Sequence, residues 1–322
     1  MTRVHVWGAG GYAAAEAIAW IEGHPRLEAG IFESRTHAGA CVADTFAHLR
    51  RSTLHFAASG AVLAQLAPGD IVIIAGASGE ARAQVGKFLA QGARVVDLSA
   101  DYRFDPLAVY GLPEYHRATI AGARLVANPG CYPTASLLAL LPLVRAAMPL
   151  GIAIDAKSGI TGAGRTPQLG SLFAEVSGDI RAYALQGHRH EPEIAQELRR
   201  RGVELPITFT PHVVPLARGM LVDVYAFYAC PPDPEAIAAA YDAAYRDEPF
   251  VRVLTNERVP SVAAVVGTND AEIRVDVRGA MVRVICAIDN LGKGAAAQAI
   301  QNVNIMLGYP EEEGLHARTA LA

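Results

Sequence analysis

A short apolar segment, Val4–Trp7, runs without a loop into Gly8-Ala9-Gly10-Gly11-Tyr12, and the alanine-rich stretch Ala13–Glu22 follows at once. This succession constrains the fold more than any other feature of the chain. A strand that turns through glycines straight into a helix opens a βαβ unit, which commits the chain to a parallel sheet. The pattern continues in that sense. Leu27–Phe32, Ile71–Ala75 and Arg94–Leu98 read as further strands, Ala81–Leu89 reads as a helix, and Leu125–Ala127 as one more strand. The alternation predicts an α/β fold: an N-terminal Rossmann domain whose parallel sheet is covered on both faces.

After Asn128-Pro129-Gly130-Cys131 the spacing predicts a long apolar helix, roughly Ala135–Ala147, and then the rhythm changes. Ile152–Ala156, Ile207–Thr210, Leu221–Tyr228 and Met281–Ile288 read as strands with fewer helices between them, which predicts an α+β second domain. Ala295–Met306 is an apolar helix expected to return to the first domain. The division expected is therefore 1–130 with 293–322 for the nucleotide-binding domain and 131–292 for the catalytic, substrate and oligomerisation domain. With 322 residues, 52% of them hydrophobic, the chain can fill two cores.

A net charge of −4 leaves no basic footprint for nucleic acid. Cys41, Cys131, Cys230 and Cys286 are far apart and form no CxxC pair, so neither a disulfide framework nor a metal site is expected. The N-terminus lacks a signal-peptide pattern, and no apolar run reaches membrane-span length. The expectation is a cytoplasmic protein with a small-molecule ligand, no membrane and no nucleic acid.

Gly8, Gly10, Gly11 and Tyr12 lie where a dinucleotide's pyrophosphate meets free N–H groups at a helix N-terminus. The end of the second strand chooses between NAD and NADP. Ser34 and Arg35 suit a 2′-phosphate and predict NADP (NADPH), whereas Glu33 favours a free ribose if its side chain faces the pocket.

Cys131 coincides with a tight turn and a helix start, where the dipole favours a thiolate. A thiolate attacks acyl carbons and leaves well, as a transient thioester requires. His188 or His190, in His-Arg-His-Glu-Pro-Glu, is the expected proton partner, with His190 slightly preferred. Ser158, Gly159 and Gly162 belong to a second glycine-rich loop on which a nicotinamide or substrate can lie. Ser99 and Arg103 follow the carboxyl end of a parallel strand and are expected to hold a phosphate.

With these residues in place, the chain resembles the N-acetyl-gamma-glutamyl-phosphate reductases nearly end to end. The resemblance rests on Gly-Ala-Gly-Gly-Tyr at 8–12, Val-Asp-Leu-Ser-Ala-Asp-Tyr-Arg at 96–103, Ala-Asn-Pro-Gly-Cys-Tyr-Pro-Thr at 127–134, Asp-Ala-Lys-Ser-Gly-Ile-Thr-Gly-Ala-Gly-Arg at 155–165, His-Arg-His-Glu-Pro-Glu-Ile at 188–194 and Ile-Asp-Asn-Leu-Gly-Lys-Gly at 288–294. It implies a fold like glyceraldehyde-3-phosphate and aspartate-semialdehyde dehydrogenases, a homo-oligomer (dimer or tetramer), and Cys131 as nucleophile. It adds Asn290 to the cofactor-binding residues, and Arg165 and Arg218 to those facing substrate or phosphate. Three departures stand out: Gly10 replaces a serine, Glu33 replaces a small neutral residue, and the stretch from Arg103 to Tyr110 is shorter than in many relatives. The activity implied is NADPH-dependent reduction of an acyl phosphate to a semialdehyde. The rivals are a reductase of N-acyl-aminoadipyl or aspartyl phosphate and a non-catalytic nucleotide sensor.

Overall fold

The structure, a computed structural model, describes residues 1–255 and 257–316. Residues 317–322, assigned above to the first domain, lie outside the described residues. The chain divides into two compact units, Met1–Pro129 with Ala295–His316, and Gly130–Gly294.

The first unit holds a wholly parallel six-stranded sheet in the order β2-β1-β3-β4-β6-β5. Its strands are β1 (Thr2–Trp7), β2 (Leu27–Glu33), β3 (Ile71–Ile74), β4 (Arg94–Asp97), β5 (Val109–Tyr110) and β6 (Leu125–Ala127). The reversal of strand order at β1 and β3 is the doubly wound arrangement expected from the opening motif. All four residues of β3 are fully buried, as a central strand covered on both faces requires. Within this unit the buried helix Ala297–Leu307 packs against the helices Tyr12–Glu22 and Pro113–Ala121. Its Asn302 amide donates to the Gly111 carbonyl and to Asn128 Oδ1, both at 3.0 Å.

The second unit holds a mixed seven-stranded sheet in the order β11-β12-β13-β10-β7-β9-β8. Its strands are β7 (Gly151–Ser158), β8 (Arg181–Ala182), β9 (Ile207–Val213), β10 (Met220–Phe227), β11 (Val251–Val253), β12 (Ala271–Arg278) and β13 (Met281–Ile288). Burial alternates along β7, so one face carries Ile152, Ile154 and Ala156 inward. The helix Cys131–Ala146 packs against β10 and β13 and is flanked by the helices His190–Arg199 and Pro234–Tyr245. Its first fourteen residues carry no charge and thirteen of its residues are buried, a helix made to be covered on every side.

That helix begins four residues earlier than the spacing predicts. Pro133 does not delay it, because the first-turn N–H groups have no intrahelical acceptor and proline loses nothing there. The domain boundaries expected at 130 and 293 shift for related reasons. Gly130 caps the cysteine helix, and Gly294 packs on Cys131, so both belong to the second unit. No helix among the described residues is long and apolar enough to cross a membrane.

Candidate active site

Cys131 is the first residue of its helix and Gly130 the N-cap, in extended conformation. His190 is likewise the first residue of the helix His190–Arg199. The two helix starts are tied together by Glu193, which is 1% exposed and accepts the Gly130 N–H at 3.0 Å. Both Cys131 and His190 therefore line one cavity of about 530 Å³, together with Tyr132, Ser158, Gly159, Gly162, Tyr183, His188, Arg189 and His212.

The two histidines differ in kind. His190 is 4% exposed, with its ring edge-on to Tyr132 at 5.7 Å. His188 stacks among Tyr132, Tyr183 and Phe209, with centroids 5.5–5.6 Å away. Its Nδ1 accepts the His190 main-chain N–H at 3.2 Å, which fixes the proton of its neutral form on Nε2. Burial, with the Arg189 guanidinium beside it, pushes its pKa down to about 4. The Tyr132 hydroxyl donates to the His212 carbonyl at 3.2 Å and receives the Tyr183 hydroxyl at 3.3 Å, and burial raises both phenols' pKa.

The second glycine-rich loop wraps the same cavity. Asn290 does not line it. Its side-chain oxygen accepts the Gly219 N–H at 2.6 Å and its amide donates to Thr161 Oγ at 3.0 Å, so it holds the loop from behind. Arg218 is spent as well: its guanidinium forms a two-pronged pair with the fully buried Asp289, at 3.2 and 2.6 Å. Arg165 follows the turn at Gly164 and is not among the cavity's lining residues. Arg189, which sequence reading passed over as the spacer between two histidines, does line it, exposed and with its guanidinium in no hydrogen bond or ion pair among the described residues.

In the first unit, Gly8 has a φ of +80°, and a Cβ there would lie 2.6 Å from the Gly76 backbone, so only glycine makes this turn. Gly11 caps the helix that starts at Tyr12, and a Cβ on it would meet nothing within 4 Å, which leaves the helix N-terminus open. Gly10 sits beside the Ser34 and Thr36 hydroxyls, so the glycine turn and the end of β2 converge as a nucleotide site demands. The doubt over Glu33 resolves structurally: it is 5% exposed and its carboxylate accepts the Val62 N–H at 3.0 Å, at the start of the short helix Ala61–Gln65. Arg35 is exposed and paired with Glu80 at 2.6 Å.

Ser99 and Arg103 are buried and already engaged. The Ser99 hydroxyl and N–H both donate to Asp97 at 2.9 Å, and Arg103 donates to the Asn128 and Leu98 carbonyls, each at 3.0 Å. These bonds brace the carboxyl ends of β4 and β6. Among the described residues, no group of three or more His, Cys, Asp or Glu side chains is placed to hold a metal ion.

Comparison with known proteins agrees with this geometry. Residues 3–123 match the family model "semialdehyde dehydrogenase, NAD binding domain" and residues 131–290 match "semialdehyde dehydrogenase, dimerisation domain". The chain is 40% identical to N-acetyl-gamma-glutamyl-phosphate reductase of Desulfotalea psychrophila and 41% identical to that of Azotobacter vinelandii, over 98% of each chain. Its fold is that of aspartate semialdehyde dehydrogenase II from Vibrio cholerae, with a TM-score of 0.75 at 16% identity, covering 95% of this chain and 98% of that one. Sequence identity along nearly the whole length, on top of a cysteine and histidine that share one cavity, makes the chain a member of the N-acetyl-gamma-glutamyl-phosphate reductase family.

Proposed function

We propose that the chain reduces N-acetyl-L-glutamyl 5-phosphate to N-acetyl-L-glutamate 5-semialdehyde and phosphate, using NADPH and a thioester on Cys131. The observation that carries this reading is the placement of Cys131 and His190 at two helix starts on one cavity wall.

The residues divide the work as follows. Cys131 Sγ attacks the acyl carbon and the carbon–oxygen bond to phosphate breaks, leaving a thioester and free phosphate. When bound, NADPH supplies the hydride that brings the thioester carbon to the aldehyde level. His190 protonates the oxygen of the resulting thiohemiacetal, then takes that proton back as the carbon–sulfur bond breaks and the thiolate returns. His188, neutral well below pH 7, receives the His190 main-chain N–H and holds the start of that helix. Arg189, the unspent guanidinium on the cavity, receives an anionic group of the substrate. Arg165 remains a second candidate for that role, while Ser99, Arg103 and Arg218 act as supports through the bonds described above.

The first unit fits the cofactor. The open N-terminus after Gly11 suits a pyrophosphate, and Ser34 with Arg35 suits a 2′-phosphate. Glu33 is turned to the Val62 N–H, and so leaves the NADP reading intact. Ser158, Gly159 and Gly162 form the wall on which a flat ring or the acyl chain lies, with Asn290 holding that wall. The working form in this reading is a cytoplasmic homo-oligomer, dimer or tetramer. Its support is the dimerisation-domain match and the exposed Leu169, Phe173, Ile180 and Leu185 within that domain. The deciding assay is phosphate-dependent NADP reduction with N-acetylglutamate semialdehyde. Turnover with that substrate, absent with aspartate semialdehyde, is expected; preference for the aspartyl or aminoadipyl compound would overturn the substrate assignment.

A further inference from the structure

The segment Leu291-Gly292-Lys293-Gly294 has no part in the chemistry above, yet its Gly294 lies against Cys131. Residues Gly292–Ala296 form one turn of π-helix, a wide turn that is rare and frequently found at functional sites. A Cβ added at Gly294 would lie 2.8 Å from Cys131 Cβ and 3.2 Å from its Cα, well inside the 3.5–4.0 Å at which carbons rest. Gly294 has no positive φ, so its glycine is required for space and not for backbone freedom.

The turn cannot yield to make that space. Asp289, fully buried, accepts from Arg218, from the Leu291 N–H at 3.0 Å and from the Gly267 N–H at 2.7 Å, and its carbonyl takes the Gly294 N–H at 2.9 Å. A Cβ on Gly292 would sit 2.2 Å from the Thr268 carbonyl, and Lys293 is fully buried. The cysteine is also fixed through its preceding residue, where Glu193 accepts the Gly130 N–H.

We infer that the turn at Gly292–Gly294 is the seat of the Cys131 side chain, with Gly294 and Glu193 as positioning residues that set where the thiol meets substrate. Gly294 does so by admitting the cysteine Cβ at contact distance, and Glu193 by tethering the residue before it to the histidine helix. A displacement of about 1 Å at a reacting atom costs on the order of a hundredfold in rate. The inference rests on Cys131 being the nucleophile.

The test uses the full-length protein. Gly294→Ala is expected to lower kcat at least tenfold with KM within about twofold, and to shift the pH profile of Cys131 alkylation by iodoacetamide. A wild-type kcat and alkylation profile in that variant overturns the inference, as does a loss of melting temperature with both profiles unchanged. Glu193→Gln keeps an oxygen acceptor for the Gly130 N–H, so it is expected to retain most of the kcat that Glu193→Ala loses; equal losses in the two would overturn the tether. Should Gly294→Ala fail to fold, the same substitution in a Cys131→Gly background decides. The Cβ–Cβ collision is absent there, so a folded protein with a cooperative melting transition is expected, and failure to fold defeats the inference. Alkylation reads the thiol whatever the reaction is, so these outcomes are independent of Cys131→Ser, whose retained turnover would instead sink the nucleophile assignment.

Discussion

Cys131 and His190 are separated by 59 positions in sequence but share one cavity because Glu193 ties their helix starts together. If the thioester route holds, Cys131→Ser abolishes reductase turnover while cofactor affinity stays within about twofold; a quench-flow search for a labelled acyl-enzyme should find it in the wild type and not in the variant. His190→Asn is expected to cost 10²-fold or more in kcat, the usual reach of general acid–base catalysis, and His188→Asn clearly less. Comparable losses in both would mean that the proton passes elsewhere. Arg189→Ala should raise KM tenfold or more, since a charge-assisted hydrogen bond is typically worth about 1.5–3 kcal/mol, and an unchanged KM would return Arg165 to consideration. At the cofactor, Arg35→Ala should weaken NADPH by the same order and leave NADH unchanged. Glu33→Thr, in contrast, is expected to lower stability rather than to move cofactor preference, because it removes the acceptor of the buried Val62 N–H.

At the scale of elements, the cysteine helix shows why some of the site was legible and some was not. Its cysteine, turn and apolar run are contiguous in sequence, so a local reading finds them. The residues that hold it come from distant segments, and nothing local marks them. Pro142, inside the helix, has no N–H to give Leu138, four residues back. The structure meets the need from another helix: the Tyr245 hydroxyl donates to the Leu138 carbonyl at 2.5 Å, and Tyr241 donates to Ala139. Tyr245→Phe should therefore cost about 1–3 kcal/mol in a denaturant titration, the penalty of a buried carbonyl left without a donor. Pro142→Ala in the same chain should recover part of that loss by restoring the helical N–H. A Tyr245→Phe variant as stable as wild type would show that the hydroxyl is dispensable. The same distinction explains β12, which sequence reading did not name: Glu272, Arg274, Asp276 and Arg278 put charge at alternate positions, and its apolar partners Ile273, Val275 and Val277 never form a run. Arg189 was passed over for a similar reason, since what marks it is a guanidinium with no hydrogen bond or ion pair among the described residues, a property that no motif encodes.

Over the whole molecule, the parallel sheet followed from the strand–glycine–helix opening, because right-handed βαβ winding leaves few alternatives. The mixed sheet of the second unit was only outlined, since antiparallel pairings across long connections depend on register that composition does not carry. What the folded chain adds globally is a set of histidines held neutral. Burial lowers the pKa of His5 and of His24, and pushes that of His188 down to about 4. Well above pH 6.5, the ordinary value, both folded and unfolded forms of these rings are neutral and stability does not depend on them. As pH falls below 6.5 the unfolded chain binds protons that the folded chain refuses, so stability falls, and the His188 contribution levels off only once pH has passed about 4. Two carboxyls, the buried Asp97 and the half-buried Asp270, work in the opposite sense. Burial raises the pKa of Asp97 and Asp270 above the ordinary carboxylate value, so the folded form takes up their protons first and is favoured as pH falls. The three rings give the expected outcome on their side: their contribution to the denaturant midpoint is nearly flat from pH 8 to about 7 and declines below 6.5, ending for His188 near pH 4. Replacing His188 by Asn should make that decline shallower, and the His188 ring signals in a pH titration by NMR should stay at their neutral positions at pH 5. A His188→Asn variant whose midpoint follows the wild-type pH profile, or a His188 ring already protonated at pH 6, would show that the cavity does not hold this imidazole neutral and would undercut its assignment as the acceptor that seats His190.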